Sequence, residues 1–387
     1  MIVSSAIIYF TSHRSPAEFI SPLIDRLPIL GTTTPTNSKV VYGFLPFWNL
    51  KYESNFRYNL LTHLVFFGLD IDASGNIRTR TDDGFTEPGW SAYKSESFSR
   101  ITRRARDNGV KISLVLRAMD QATIESIINS PIKQRRLLTS VIEVINLKNL
   151  DGINIDFEYA GTPTPQLQSH FTQFIKYLSD NLKTKYPSLE LSIDVFADTA
   201  LKPRIWNLTE LEPLLDHIIV MAYDFHRPSS PTAGPIAPLR GGSDGTWDLD
   251  ITQSIQAFMQ TIPPSKIILG VPYYGYGWRT TSSAIGATTY PNSGELATFN
   301  RIQQILGKTD TAITQISQNW DNTSLSPYLT YKLNGHSYQI WFEDERSLQL
   351  KYNLVNQTNL AGIAIWALGY DGDYPQLWYL LKSFRLR

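Results

Sequence analysis

The chain of 387 residues contains no cysteine, which removes disulfides, zinc–thiolate centres and cysteine nucleophiles at once. Its six histidines, at positions 13, 63, 170, 217, 226 and 336, are scattered, and no two of them make a metal-ligand pair. Neither sign of charge is in excess: 35 basic residues face 35 acidic ones. That balance gives no electrostatic basis for nucleic acid or an anionic membrane surface as partner. Long apolar runs are missing too. The run Ile2 to Phe10 is too short to span a bilayer, and it lacks the basic start and small-residue cleavage site of a standard export signal. Neither an internal repeat nor a low-complexity tract is visible. No metal and no cofactor are expected. What the chain does have is aromatic rings, with 9 Trp, 20 Tyr and 18 Phe. Such rings fill cores, and their flat faces also suit a carbohydrate cleft.

After a linker-like stretch, Gly31 to Ser38, apolar β-rich runs recur with helical stretches between them. The runs cover 39–48, 61–71, 111–119, 152–159, 189–197, 217–225, 266–275 and 362–369. Helical patterning falls at 97–107, 121–146, 166–185, 252–261, 347–356 and 374–383. Strand–helix alternation predicts parallel βαβ units, and eight such strands suit a (β/α)8 TIM barrel, with a doubly wound open sheet as the second choice. A barrel of this kind takes about 250 residues, so the chain carries a surplus. The surplus sits after the seventh strand, where PYLTYKLN and SYQIWFED look like strands of their own. The expected layout is an N-terminal segment and linker over 1–38, a catalytic barrel over 39–278 and 346–387, and a small α+β insertion over 279–345.

The fourth run holds the informative pattern. In DGINIDFEYA, Asp151 to Ala160, every second residue from Asn154 is polar: Asn154, Asp156, Glu158. Strand side chains alternate faces, so these three share one side. Barrel interiors are normally packed with branched aliphatic residues, and unpaired carboxyls there cost free energy. Stability alone would not choose them. Glu158 falls at the C-terminal end of the strand, the face where barrel enzymes place their sites. Burial and a carboxylate beneath it both disfavour its ionisation, which suits a general acid for a glycosidic oxygen. Glycosidases normally set a second carboxylate across the scissile bond. Asp156, on the same strand and the same side, is badly placed for that job.

The octet Asp151 to Glu158 resembles the D-G-x-D-x-D-x-E signature of family-18 glycoside hydrolases, the chitinase-like enzymes. In that family the last Glu is the acid/base and the substrate's own 2-acetamido oxygen is the nucleophile. Met221-Ala222-Tyr223-Asp224 is similar to the family's M-x-Y-D, and Gly270 to Gly275 to its G-x-P-x-Y-G. Trp366 matches the Trp under the cleaved sugar. Residues 341–369 resemble the bacterial cortical-fragment-lytic branch, which cuts peptidoglycan at N-acetylglucosamine. The resemblance implies that Asp156 orients the acetamido group with support from Asn154, that Tyr223 and Asp224 position its oxygen, and that Met221 and Trp366 bind the substrate. Tyr42, Trp48, Tyr274 and Trp278 are further candidate substrate-binding residues. The implied partner is a polysaccharide containing N-acetylglucosamine, acted on by an exported monomer of the cell envelope or extracellular space.

Two departures stand out. Asn154 replaces the Asp that many members carry, and an amide cannot hold the proton or charge which that Asp exchanges with its neighbour. Arg117-Ala118-Met119-Asp120 replaces the common S-x-G-G of chitinases. Two alternatives stay open: a non-catalytic chitinase-like carbohydrate-binding protein, and Asp224 as a protein nucleophile. Peptidoglycan, chitin and N-glycan cores all fit as substrates.

Overall fold

The computed structural model describes residues 39–243, 245–307 and 311–385. The expected N-terminal segment and linker, 1–38, lies outside the described residues. The strands are β1 (Val40–Pro46), β2 (His63–Asp70), β3 (Lys111–Ala118), β4 (Gly152–Phe157), β5 (Glu190–Phe196), β6 (His217–Met221) and β7 (Ile267–Pro272). There follow β8 (Tyr274–Thr280), β9 (Glu295–Thr298), β10 (Ile313–Asp321), β11 (Ser326–Leu333), β12 (His336–Trp341) and β13 (Gly362–Trp366). Strands β1 to β7 pair in parallel in chain order, and β13 closes the barrel between β7 and β1. This is the (β/α)8 barrel expected from the alternation of strand and helix. Among the described residues no helix is long and apolar enough to cross a membrane.

Two local readings change. The single helix expected over 121–146 is two, Gln121–Ile128 and Pro131–Lys148. Pro131 cannot donate to an earlier carbonyl and sterically disfavours a helical residue before it, so it starts the second helix instead. The seventh run, read as one strand to 275, ends in the barrel at Pro272. From Tyr274 the chain enters a separate antiparallel sheet of order β10-β11-β12-β8-β9. The expected strand-like pieces of this insertion are β11 and β12; β9, β10 and the helix Phe299–Leu306 had no clear sequence signal.

Most of the apolar core lies between the barrel and its outer helices. A second cluster fills the barrel interior with Tyr42, Phe44, Val65, Phe67, Val115, Ile219, Ile268 and Ala364. These come from β1, β2, β3, β6, β7 and β13. Strands β4 and β5 supply none of them. Where the other strands send apolar side chains inward, β4 and β5 send Asn154, Asp156, Ser192 and Asp194, all at least 96% buried. The barrel thus gives up apolar packing on one wall, and that wall leads up to Glu158.

Candidate active site

Glu158 follows directly on β4, its backbone N–H donating to the Ala118 carbonyl at 3.0 Å. That bond fixes the residue at the barrel mouth, half-buried in a cleft of about 670 Å³. Met221, Tyr223, Asp224, Arg227 and Trp247 line the same cleft. Burial raises the Glu158 carboxyl above its usual range; Arg227 and Arg117 pull it down, and Asp224 pushes it up. The expected push from the carboxylate beneath falls mainly the other way. Asp156, 2% exposed, is raised well above the ordinary range by burial and then by Asp194 and Glu158, against Arg117. The deeper group keeps its proton more firmly because it has less solvent to stabilise its charge.

Asp224 follows β6 by three residues and holds φ at 60°. Asp is one of the few side chains that tolerate this left-handed backbone, through short local hydrogen bonds. Its carboxylate accepts hydrogen bonds from the hydroxyls of Tyr274 and Tyr276, both on β8. Burial raises Asp224, while the two tyrosines and Arg227 oppose it. Tyr223, whose hydroxyl is kept protonated by burial and by Asp194, Asp224, Asp156 and Glu158, completes the carboxyl-rich side of the mouth.

Aromatic rings occupy the opposite side. Trp366 ends β13 half-buried, with Phe67 edge-on at 4.5 Å and Phe44 at 5.9 Å. Trp48 is 42% exposed and meets Phe67 edge-on at 6.2 Å. Phe67 thereby links two tryptophans along the β1, β2 and β13 edge of the mouth. Replacing Trp366 with Ala is expected to raise KM for an oligosaccharide about tenfold, a loss of about 1.4 kcal/mol in binding. Steady-state kinetics check it, and an unchanged KM assigns the ring to packing.

The other candidate aromatics are placed differently. Tyr42, 1% exposed, lies deep in the barrel, stacked on His63 at 4.2 Å and bonded to His217 at 3.1 Å. Those partners begin their strands, so Tyr42 belongs to the floor far from the mouth. Trp278 is fully buried, and its indole N–H donates to the carbonyls of Pro228 and Arg227 at 3.2 and 3.3 Å. It braces the loop after β6 and offers no face to a ligand. Tyr274, 2% exposed, donates its hydroxyl to Asp224.

Residues of the site that carried no sequence assignment are Asp194, Arg227 and Trp247, and Arg117 was noted only as a departure from the family pattern. Asp194 carried a signal: in LELSIDVFA, Ser192 and Asp194 repeat the period-two polar pattern of β4. Arg117, one residue before the end of β3, stands opposite Asp156 in register and pairs with Asp70, Nη2 to Oδ2 at 3.1 Å. Arg227 and Trp247 sit in loops, where no periodicity marks them.

A protonatable Glu at the mouth of a closed parallel barrel, facing aromatic rings across the cleft, suits protonation of a glycosidic oxygen. The model of the glycosyl hydrolases, family 18, matches residues 30–371, and the chain belongs to that family. A cortical fragment-lytic enzyme of Bacillus subtilis is 26% identical over 263 residues, covering 66% of this chain and 55% of the relative, so this chain spans about half of that protein's length. Among solved structures, the fold is similar to a chitinase of Cycas revoluta complexed with allosamidin, at TM-score 0.72, 22% identity and coverage of 89% and 98%. It is also similar to a spore cortex-lytic enzyme of Bacillus megaterium, at TM-score 0.68, 20% identity and coverage of 90% and 75%.

Proposed function

We propose that the enzyme hydrolyses β-1,4 N-acetylglucosaminide bonds in peptidoglycan, outside the cytoplasm, with retention and with the substrate's 2-acetamido group as nucleophile. One observation carries the mechanism. The carboxyls grouped around Glu158 are either buried beneath it, as Asp156 is, or held by two tyrosine hydroxyls, as Asp224 is. Neither is set to attack a sugar carbon from the far face, so the attacking oxygen comes from the substrate.

The steps then follow. Protonated Glu158 gives its proton to the glycosidic oxygen as the bond from that oxygen to the anomeric carbon breaks. The acetamido carbonyl oxygen bonds to the same carbon from the opposite face, closing a five-membered ring. Asp156 accepts the acetamido N–H, and Tyr223 with Asp224 keeps the carbonyl oriented. Glu158, now a carboxylate, takes a proton from water as the water oxygen attacks the carbon and reopens the ring. Two inversions give retention. The upward shift of Glu158, caused first by burial, matters here because it enlarges the share of the acid form at any given pH.

The name of the cortical fragment-lytic relative supports peptidoglycan over chitin as the polymer. Digestion of purified peptidoglycan and of chitin, followed by mass spectrometry of the products, tests this. Reducing-end N-acetylglucosamine released from peptidoglycan is the expected result. Products from chitin alone overturn the choice of polymer, and products from neither overturn the activity.

A further inference from the structure

Asn154 leaves a problem that the site itself answers. The carboxyl that many family members carry at this place exchanges a hydrogen bond with the next Asp, and an amide there can hold neither a shared proton nor a negative charge. Yet the Asn154 Nδ2 donates to Asp194 Oδ1 at 3.0 Å, and to Ser192 Oγ at 3.1 Å, from β4 to β5. Asp194 is 4% exposed, and the β4–β5 register sets Asn154 opposite Ser192, so Asp194 stands level with Asp156 on the neighbouring strand. Oδ1 of Asp156 is buried and has no hydrogen-bond partner among the described residues, and the same holds for Oδ1 of Asn154. A carboxyl with an open acceptor therefore sits beside a second carboxyl already anchored by a donor.

We propose that Asp194 is a positioning residue for the reaction, supplying from β5 the proton-exchanging carboxyl that Asn154 lacks on β4. The inference rests on the substrate-assisted mechanism above. Asp156 and Asp194 share one proton. When Asp156 turns up toward Glu158 and the acetamido group, the proton travels on Asp156 and the negative charge stays on Asp194. There the Asn154 amide donates to it. On return of Asp156, the proton is shared again, so the pair neither gains nor loses one per turnover. Without a second carboxyl, the turn would leave no group below to take the charge.

The surroundings suit such an exchange. Burial pushes Asp194 up to about 8, the Asn154 donation opposes that, and the Glu158 charge adds to it. Facing this pair are Arg117 from β3, Glu158 beyond β4, Tyr223 beyond β6 and Tyr42 from β1. Only Arg117 is cationic, and Asp70 already engages it. Two ionised carboxyls side by side in this neighbourhood would repel each other, so the pair keeps at least one proton, and the one-proton form is the one that can exchange it.

A double-mutant cycle with pH–rate profiles tests the assignment. Asp194→Asn preserves shape but not proton exchange, and is expected to lower kcat about tenfold with KM little changed, a coupling of the size seen within hydrogen-bonded networks. Asn154→Asp in that background returns a carboxyl to the far side of the same hydrogen bond and is expected to restore most of the loss, with a displaced pH profile. Wild-type kcat and profile in Asp194→Asn, or simple additivity in the double variant, overturn the proposal. Carbon-13 NMR titration of the carboxyl groups reads the same residue without turnover. Two coupled carboxyl steps, the upper one displaced above the ordinary carboxylate range, are expected to become a single step in Asp194→Asn, and independent ordinary titrations of Asp156 and Asp194 overturn it. Failure of the wild type to cut any N-acetylglucosamine polymer strikes the functional reading instead, and the NMR titration still decides whether Asp194 holds the proton.

Discussion

Glu158→Gln lowers kcat by about 10² to 10⁴, the span that a positioned acid/base contributes, while binding of a chito-oligosaccharide survives. The amide keeps the volume of the carboxyl and its place after β4, where the bond from its own N–H to Ala118 is untouched. It has no proton to give the leaving oxygen, and it cannot take one from water in the second half of the reaction. Loss should therefore appear in kcat and kcat/KM equally, which marks an interaction made in the transition state alone. Isothermal calorimetry on the variant separates binding from turnover. Near-wild-type hydrolysis would remove Glu158 from the mechanism and, with it, the reason for the buried row beneath. The same variant also tests the non-catalytic alternative, because a pure binding protein has no turnover to lose.

The β4 ladder was legible because barrel interiors are apolar, so polar residues at period two stand out on any strand. The same rule applied to β5 would have exposed Ser192 and Asp194. It was masked there because Glu190 also fits the alternation, which makes LELSIDVF read as an ordinary strand with one polar face. In the structure Glu190 lies at the strand start, paired with His63 at 2.7 Å, well below the carboxyls. Tyr42 and Trp278 went astray for a different reason. Ring chemistry alone does not say whether a face is open, and both rings are covered on every side. Arg227 was invisible because loop residues obey no period, and its cleft is made by three-dimensional approach.

The insertion, too, does more than sequence spacing suggests. Its first strand, β8, begins two residues after the barrel strand β7 ends, and its register is set by antiparallel pairing with β12 and β9. That pairing aims Tyr274 and Tyr276, two residues apart and so on one face, at Asp224. Trp278, next on that face, ties down the Arg227–Pro228 backbone. A segment that looks like an appended domain therefore orients the site from above, with β4 and β5 acting from below.

Removal of the 2-acetamido group from the sugar at the cleaved bond is expected to abolish hydrolysis. The reason is geometric. Asp156 and Glu158 share one strand, Asp156 is 2% exposed, and the Asp224 carboxylate is committed to two tyrosine donors. A protein nucleophile would need a carboxylate in line with the anomeric carbon on the far face of the sugar, and hydrogen bonds from two phenols make Asp224 a weaker one. Fully deacetylated glucosamine oligomers should bind and remain intact over times in which acetylated ones are consumed. A thiazoline mimic of the ring-closed intermediate should inhibit well below the substrate KM, because the site is complementary to the state between the two steps and not to the ground state. The competing mechanism makes the opposite forecast. If Asp224 attacked, deacetylated oligomers would be cut, and a 2-fluoro sugar would leave a covalent adduct on that residue. Peptide mass mapping after incubation with the fluoro sugar distinguishes the two. An adduct on Asp224 would transfer the nucleophile from substrate to protein, with the two tyrosines holding the attacking carboxylate in place.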